Sequence, residues 1–153
     1  MKKFRRILLA VDESPCTDKI VNYTKDLIAN EEVSIALLTV IPPTSPSTYG
    51  ADPLLGQQPI LVPEITEIQQ NTAEQYVAKV ANEFQSIAEV FTYTRIGNIK
   101  EEILLLASEW SADLIVMGTN GRSGFDHFIS GSVSESVIRK ANVPVLVVPI
   151  NCS

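Results

Sequence analysis

At 153 residues, with 45% hydrophobic and 20% charged side chains, the chain has the make-up of one globular domain that buries about two thirds of its unfolded surface. No run approaches the roughly 18 consecutive apolar residues of a membrane span. A formal charge of −6, from 18 acidic against 12 basic residues, argues against general affinity for nucleic acid, which needs clustered cations to displace counterions.

The N-terminus is basic and then apolar, like a secretion signal, but Asp12 and Glu13 interrupt the apolar run early and no small-residue cleavage pattern follows. Arg5 to Val11 therefore reads as a first strand, rich in Ile, Leu and Val as in a parallel sheet buried on both faces. Ser14-Pro15 supplies an N-cap and a proline at the first helical position, and Ile20, Val21, Thr24, Leu27 and Ile28 follow at helical spacing. Cys16 and Cys152, at opposite ends of the chain, make a poor disulfide framework and fit a reducing cytosol, so a cytoplasmic location is expected. Val33 to Val40 is a second strand.

From Ile41 to Pro63 the chain holds six prolines, two glycines and almost no charge, a long irregular connection of the kind that is either functional or mobile. A helix is expected from Glu64 to Ser86, with Ile65, Ile68, Ala73, Tyr76, Val77, Val80, Ala81 and Phe84 on one face. Glu89 to Arg95 alternates and is β-branched or aromatic through its middle, giving a third strand. Gly97-Asn98 breaks it, and Asn98 with Glu101 starts a helix over Ile99 to Trp110 in the manner of a capping box. Asp113 to Met117 is a fourth strand. Val133, Val137, Ile138 and Ala141 mark the last helix, closed by Arg139 and Lys140, and Val145 to Val148 between two prolines is a fifth strand. Strands alternating with helices indicate an open parallel α/β sheet with right-handed crossovers and helices on both faces.

Between the fourth strand and the last helix lie Gly118, Gly121, Gly124 and Gly131, four of the seven glycines. Such a stretch bends sharply and turns its amides toward an anion without Cβ atoms in the way. Ser132 and Glu135 form a capping box, so the loop ends at a helix N-terminus, where orphan amides favour negative charge.

The spacing Gly118, two residues, Gly121, nine residues, Gly131-Ser132 resembles the signature of the nucleotide-binding branch of the universal stress protein family. With the other landmarks, the resemblance extends from Arg5 to Ile150. It implies a five-stranded sheet of order 3-2-1-4-5, the adenine nucleotide alpha hydrolase-like fold, in which the sheet reverses between strands 1 and 4 and ligands enter beyond the strands' carboxyl ends. It also implies that Asp12 lies at the nucleoside end beside Ala10 and Val11, that Val40 lends backbone hydrogen bonds to the adenine edge, and that Met117 packs near the ribose. Gly118, Gly121, Gly131 and Ser132 would hold the phosphates, with Thr119 as an extra hydroxyl, Arg122 as the loop's only cation and Val133 opening the helix. Asn120 departs from the His or Arg often found at its position in the family. The implied cofactor is ATP, with Mg²⁺ or Mn²⁺ held through the phosphates rather than by protein ligands, and the implied assembly is a homodimer through Val145–Val148.

Enzymatic readings find less. The loop lacks the Gly-Lys-Ser/Thr ending of a Walker A element, and a flavodoxin-like or dinucleotide fold would carry its phosphate loop after strand 1, where residues 12–16 contain no glycine. His127 is the only histidine, so no His-based metal cluster and no His-x-x-His transferase element can form. The expectation is an ATP-binding, cytoplasmic stress-response module with little or no turnover. A slow ATPase and a nucleotide-independent dimeric scaffold are the competing readings, and the client protein is not named by any motif.

Overall fold

In the computed structural model, residues 4–14, 17–43, 62–119 and 133–149 are described. Strands β1 (Arg6–Ala10), β2 (Ser34–Ile41), β3 (Glu89–Ile96), β4 (Leu114–Gly118) and β5 (Val145–Val148) alternate with helices α1 (Thr17–Ile28), α2 (Val62–Ala81), α3 (Ile99–Glu109) and α4 (Val133–Lys140). The sheet has the order β3-β2-β1-β4-β5 and every pairing is parallel, as the sequence led one to expect.

The period of two along the inner strands sorts their side chains into two cores. Ile7, Leu9, Ile35, Leu37, Leu114 and Val116 face α1 and α2, where they meet Ile20, Val21, Val77, Val80 and Phe84. Leu8, Ala36, Leu38, Ile115 and Met117 face α3 and α4, against Ile103, Leu106, Trp110 and Val137. The chain steps outward from β1 to β2 to β3, then returns across β1 to β4 and β5. A right-handed crossover made in the opposite direction lands on the opposite face, which puts α1 and α2 on one side and α3 and α4 on the other.

Local chemistry sets the ends of α3. The Asn98 side chain accepts the Glu101 amide at 3.2 Å, satisfying an orphan donor of the first turn. After the C-cap at Trp110, Ser111 is left-handed with φ 58°, its amide donates to the Ser108 carbonyl at 3.2 Å and the Ala112 amide to Ala107 at 2.9 Å, a Schellman closure with serine where glycine is usual.

The N-terminal end of the sheet is closed by charge. The Asp113 carboxylate accepts the amides of Arg5 (2.9 Å) and Arg6 (3.1 Å). The Arg6 guanidinium donates twice to the Trp110 carbonyl, at 2.9 and 2.7 Å, and lies 4.1 Å from the centre of the Trp110 ring, which Phe91 meets edge-on at 6.1 Å.

Several boundaries differ from those read in the sequence. Ile41 belongs to β2 and Val62-Pro63 to α2, so the connection expected over 41–63 is shorter at both ends; proline is tolerated in a helix's first turn, where its missing N–H has no partner to lose. Helix α2 stops at Ala81 instead of Ser86, and the following turns still bury Phe84 completely. Ile68, Leu27 and Ile138, placed by periodicity on apolar faces, are 64%, 42% and 53% exposed: Leu27 and Ile138 sit at the margins of their helices' buried stripes, and Ile68 lies well off the stripe of Ala73, Val77 and Val80.

Candidate functional site

Three inner strands end side by side. The register pairs Ala10 with Leu38 on one flank and Leu9 with Val116 on the other, so Val11-Asp12 leaves the sheet between Val40 of β2 and Met117-Gly118 of β4. The sheet reverses between β1 and β4, where the connections depart to opposite faces and leave a crevice. Ladder contacts run slightly past the strands: the Val11 amide donates to Leu38 O at 2.9 Å, and the Thr119 amide to Val148 O at 3.1 Å.

Beyond the ladder, the last carbonyls of β1 have no strand to pair with and are satisfied by side chains. Thr39 Oγ1 donates to Val11 O at 3.0 Å. The Asp12 carbonyl takes three donors: the Ser14 amide at 2.8 Å, Thr17 Oγ1 at 2.8 Å and the Tyr76 hydroxyl at 2.5 Å. Tyr76 and Thr17 are also 2.8 Å from each other. Burial raises the Tyr76 phenol above its ordinary pKa against the opposing Thr17 hydrogen bond, and the carboxylates of Asp12, Glu13 and Asp18 raise it further. The mouth of β1 is therefore an acidic neighbourhood held by neutral hydroxyls.

The expected site residues divide into three groups. Val11 and Met117 are buried, their side chains in the cores on opposite faces of the sheet. Ala10, Asp12, Val40, Gly118, Thr119 and Val133 are half-buried along the carboxyl edge of the sheet and at the start of α4. Gly121, Arg122, Gly131 and Ser132 lie outside the described residues. Glu135, the other half of the expected capping box, accepts from Arg139 Nη2 at 2.7 Å one turn along α4.

A cavity of about 290 Å³ lies between Pro42-Pro43, which follow β2, the Gly97–Lys100 turn that opens α3, and Val133. Sequence reasoning did not place the α3 turn or Tyr76 here. The glycine break after the third strand was a signal for the turn, since in a parallel sheet every strand delivers its following loop to the same edge. Tyr76 gave no comparable signal, because a Tyr on an apolar helical face reads as core.

The model of the family described as "Universal stress protein family" matches residues 3–149. The chain is 30% identical over 151 residues to universal stress protein G of Shigella flexneri, an alignment covering 95% of this chain and 99% of that protein. Its fold is similar to that of a universal stress protein solved in complex with cAMP (TM-score 0.69, 17% identity, 98% of this chain and 100% of that one). It is also similar to that of the Archaeoglobus fulgidus universal stress protein in complex with dAMP (TM-score 0.58, 21% identity, 95% and 98%).

Proposed function

The chain belongs to the universal stress protein family, and from that premise we propose that it is a cytoplasmic, non-enzymatic module that binds ATP in the crevice between the ends of β1 and β4. The observation that carries the reading is the convergence of Asp12, Val40 and Gly118 on one edge of the sheet at its point of reversal, next to the start of α4. Fold neighbours that hold cAMP and dAMP support adenine nucleotide as the ligand class.

Electrostatics orients the nucleotide. The carboxylates of Asp12, Glu13 and Asp18 repel phosphate and suit the hydroxyl- and amino-bearing nucleoside end. The polyphosphate points the other way, toward the glycine-rich sequence and the N-terminus of α4, where backbone amides and Arg122 supply positive potential and Mg²⁺ or Mn²⁺ offsets the remaining charge. Titration calorimetry with ATP, with and without Mg²⁺, should give one site per chain, and Gly118→Val should abolish it while circular dichroism stays unchanged. Wild-type protein silent in calorimetry with ATP, or rapid phosphate release in the same cell, would refute the binding-module reading.

The same reading includes a homodimer through β5. This strand carries half-buried Val145, Leu146 and Val147 and is last in the sheet order, with no further strand beside it among the described residues, so an identical strand could pair with it across a two-fold axis. Light scattering over a range of concentrations tests it, and a strict monomer overturns it.

A further inference from the structure

Two consecutive carbonyls, Val11 and Asp12, leave the sheet at the mouth of the crevice, and each is caught by side-chain hydroxyls from other elements. Thr39 of β2 holds the first, while Thr17 of α1 and Tyr76 of α2 hold the second, Tyr76 across 64 residues of sequence. Thr39 and Thr17 are 8% and 5% exposed, so their hydroxyls are withdrawn from bulk water and committed to these bonds. Tyr76, Thr17 and the Asp12 carbonyl form a closed triangle with edges of 2.5, 2.8 and 2.8 Å. Two hydroxyl protons serve its three contacts, so displacing one oxygen disturbs both others.

We infer that Tyr76 is a positioning residue of the crevice: with Thr17 and Thr39 it fixes the path of Val11-Asp12, and through that path the place from which Asp12 meets the nucleoside. The inference deepens the nucleotide-binding reading and rests on it for its ligand. It adds α2, through Tyr76, to the elements that define the site beside the ends of β1, β2 and β4. Tyr76 acts through the backbone of Asp12, so its removal should weaken every ligand that shares the nucleoside, and by the same factor whatever the number of phosphates.

The test compares Tyr76→Phe, Thr17→Val and Thr17→Ser with wild type, using AMP and ATP in calorimetry and amide spectra of ¹⁵N-labelled protein without ligand. Loss of one hydroxyl contact should weaken AMP and ATP together by about threefold to tenfold in Tyr76→Phe and in Thr17→Val. Thr17→Ser, which keeps the hydroxyl, should restore affinity, and the amide signals of Asp12 and Glu13 should move in Tyr76→Phe and return toward wild type only where the triangle is intact. A role confined to stability would lower the melting temperature and leave the affinities and those amides in place. Wild-type affinity in Tyr76→Phe, or a loss felt by ATP and not by AMP, overturns the positioning role while leaving nucleotide binding standing. Wild-type protein that binds neither nucleotide overturns the functional reading, and the ligand-free amide signals then decide by themselves whether Tyr76 sets the place of Asp12. Should Tyr76→Phe fail to fold, the Thr17→Val and Thr17→Ser pair carries the same decision.

Discussion

At the N-terminal end of the strands, the chain is tied by charge: Asp113 takes the amides of Arg5 and Arg6, and Arg6 takes the carbonyl and ring face of Trp110. At the C-terminal end the ties are neutral hydroxyls on the carbonyls of Val11 and Asp12, while the acidic side chains Asp12, Glu13 and Asp18 gather around Tyr76. One end commits its charges to internal contacts and locks the fold. The other satisfies the carbonyls of Val11 and Asp12 with neutral hydroxyls, at the edge where we propose that a polar ligand binds. If the proposed site is right, stability and recognition are separated by the length of β1.

Four substitutions or conditions test that separation. The largest effect should come from Trp110→Ala, which removes a ring 8% exposed together with its contacts to Arg6 and Phe91. Urea denaturation should show a loss of about 3–5 kcal/mol, and affinity for ATP, measured below the unfolding transition, should be unchanged. Asp113→Ala should cost about 2 kcal/mol, since two amides lose a charged acceptor, again without altering ATP affinity. A comparable loss of affinity in either variant would break the comparison.

The opposite end should respond more weakly in stability and visibly in pH. Tyr76→Phe should cost about 1 kcal/mol at neutral pH, one neutral hydrogen bond. Because the folded state raises the Tyr76 pKa above the ordinary tyrosine value of 10.0, the proton is held more tightly in the folded chain, and this contribution is complete below that value. It fades as the pH climbs through the higher folded-state pKa. Stability curves of wild type and Tyr76→Phe should therefore run parallel up to the ordinary tyrosine range and converge above it. The smallest change should be a gain: Ser111→Gly relieves a left-handed serine of φ 58° and should add about 0.5–1 kcal/mol, with no effect on the crevice.

Much of this architecture was legible because local and global signals agree. Unbroken Ile, Leu and Val runs in the inner strands follow from burial on both faces, and the Asn98 cap is visible in the residue itself. The strand order came from the spacing of the glycines and the family it resembles, since periodicity does not say which strand lies beside which. The exposure of Leu27 and Ile138 was not legible, because a helical wheel gives a face but not the width of the partner's coverage. At the crevice, the sequence pointed to Asp12, Val40 and Gly118, but not to the hydroxyl triangle, whose members are separated by up to 64 residues and carry no local pattern. Of the glycine-rich stretch, only Gly118 and Thr119 at its start lie among the described residues, so its remaining assignments rest on spacing.

The placement of both early helices on one side of the sheet has a consequence for synthesis. When the ribosome has released β1, α1, β2, α2 and β3, three strands can already pair and roof one surface, yet Leu8, Ala36 and Leu38 on the underside await Ile103 and Leu106. That bare underside is a greasy stripe exposed to every neighbour until α3 emerges. A nascent chain stalled with β3 clear of the exit tunnel and α3 still inside it should therefore recruit a holding chaperone, and one stalled after α4 has cleared the tunnel should release it.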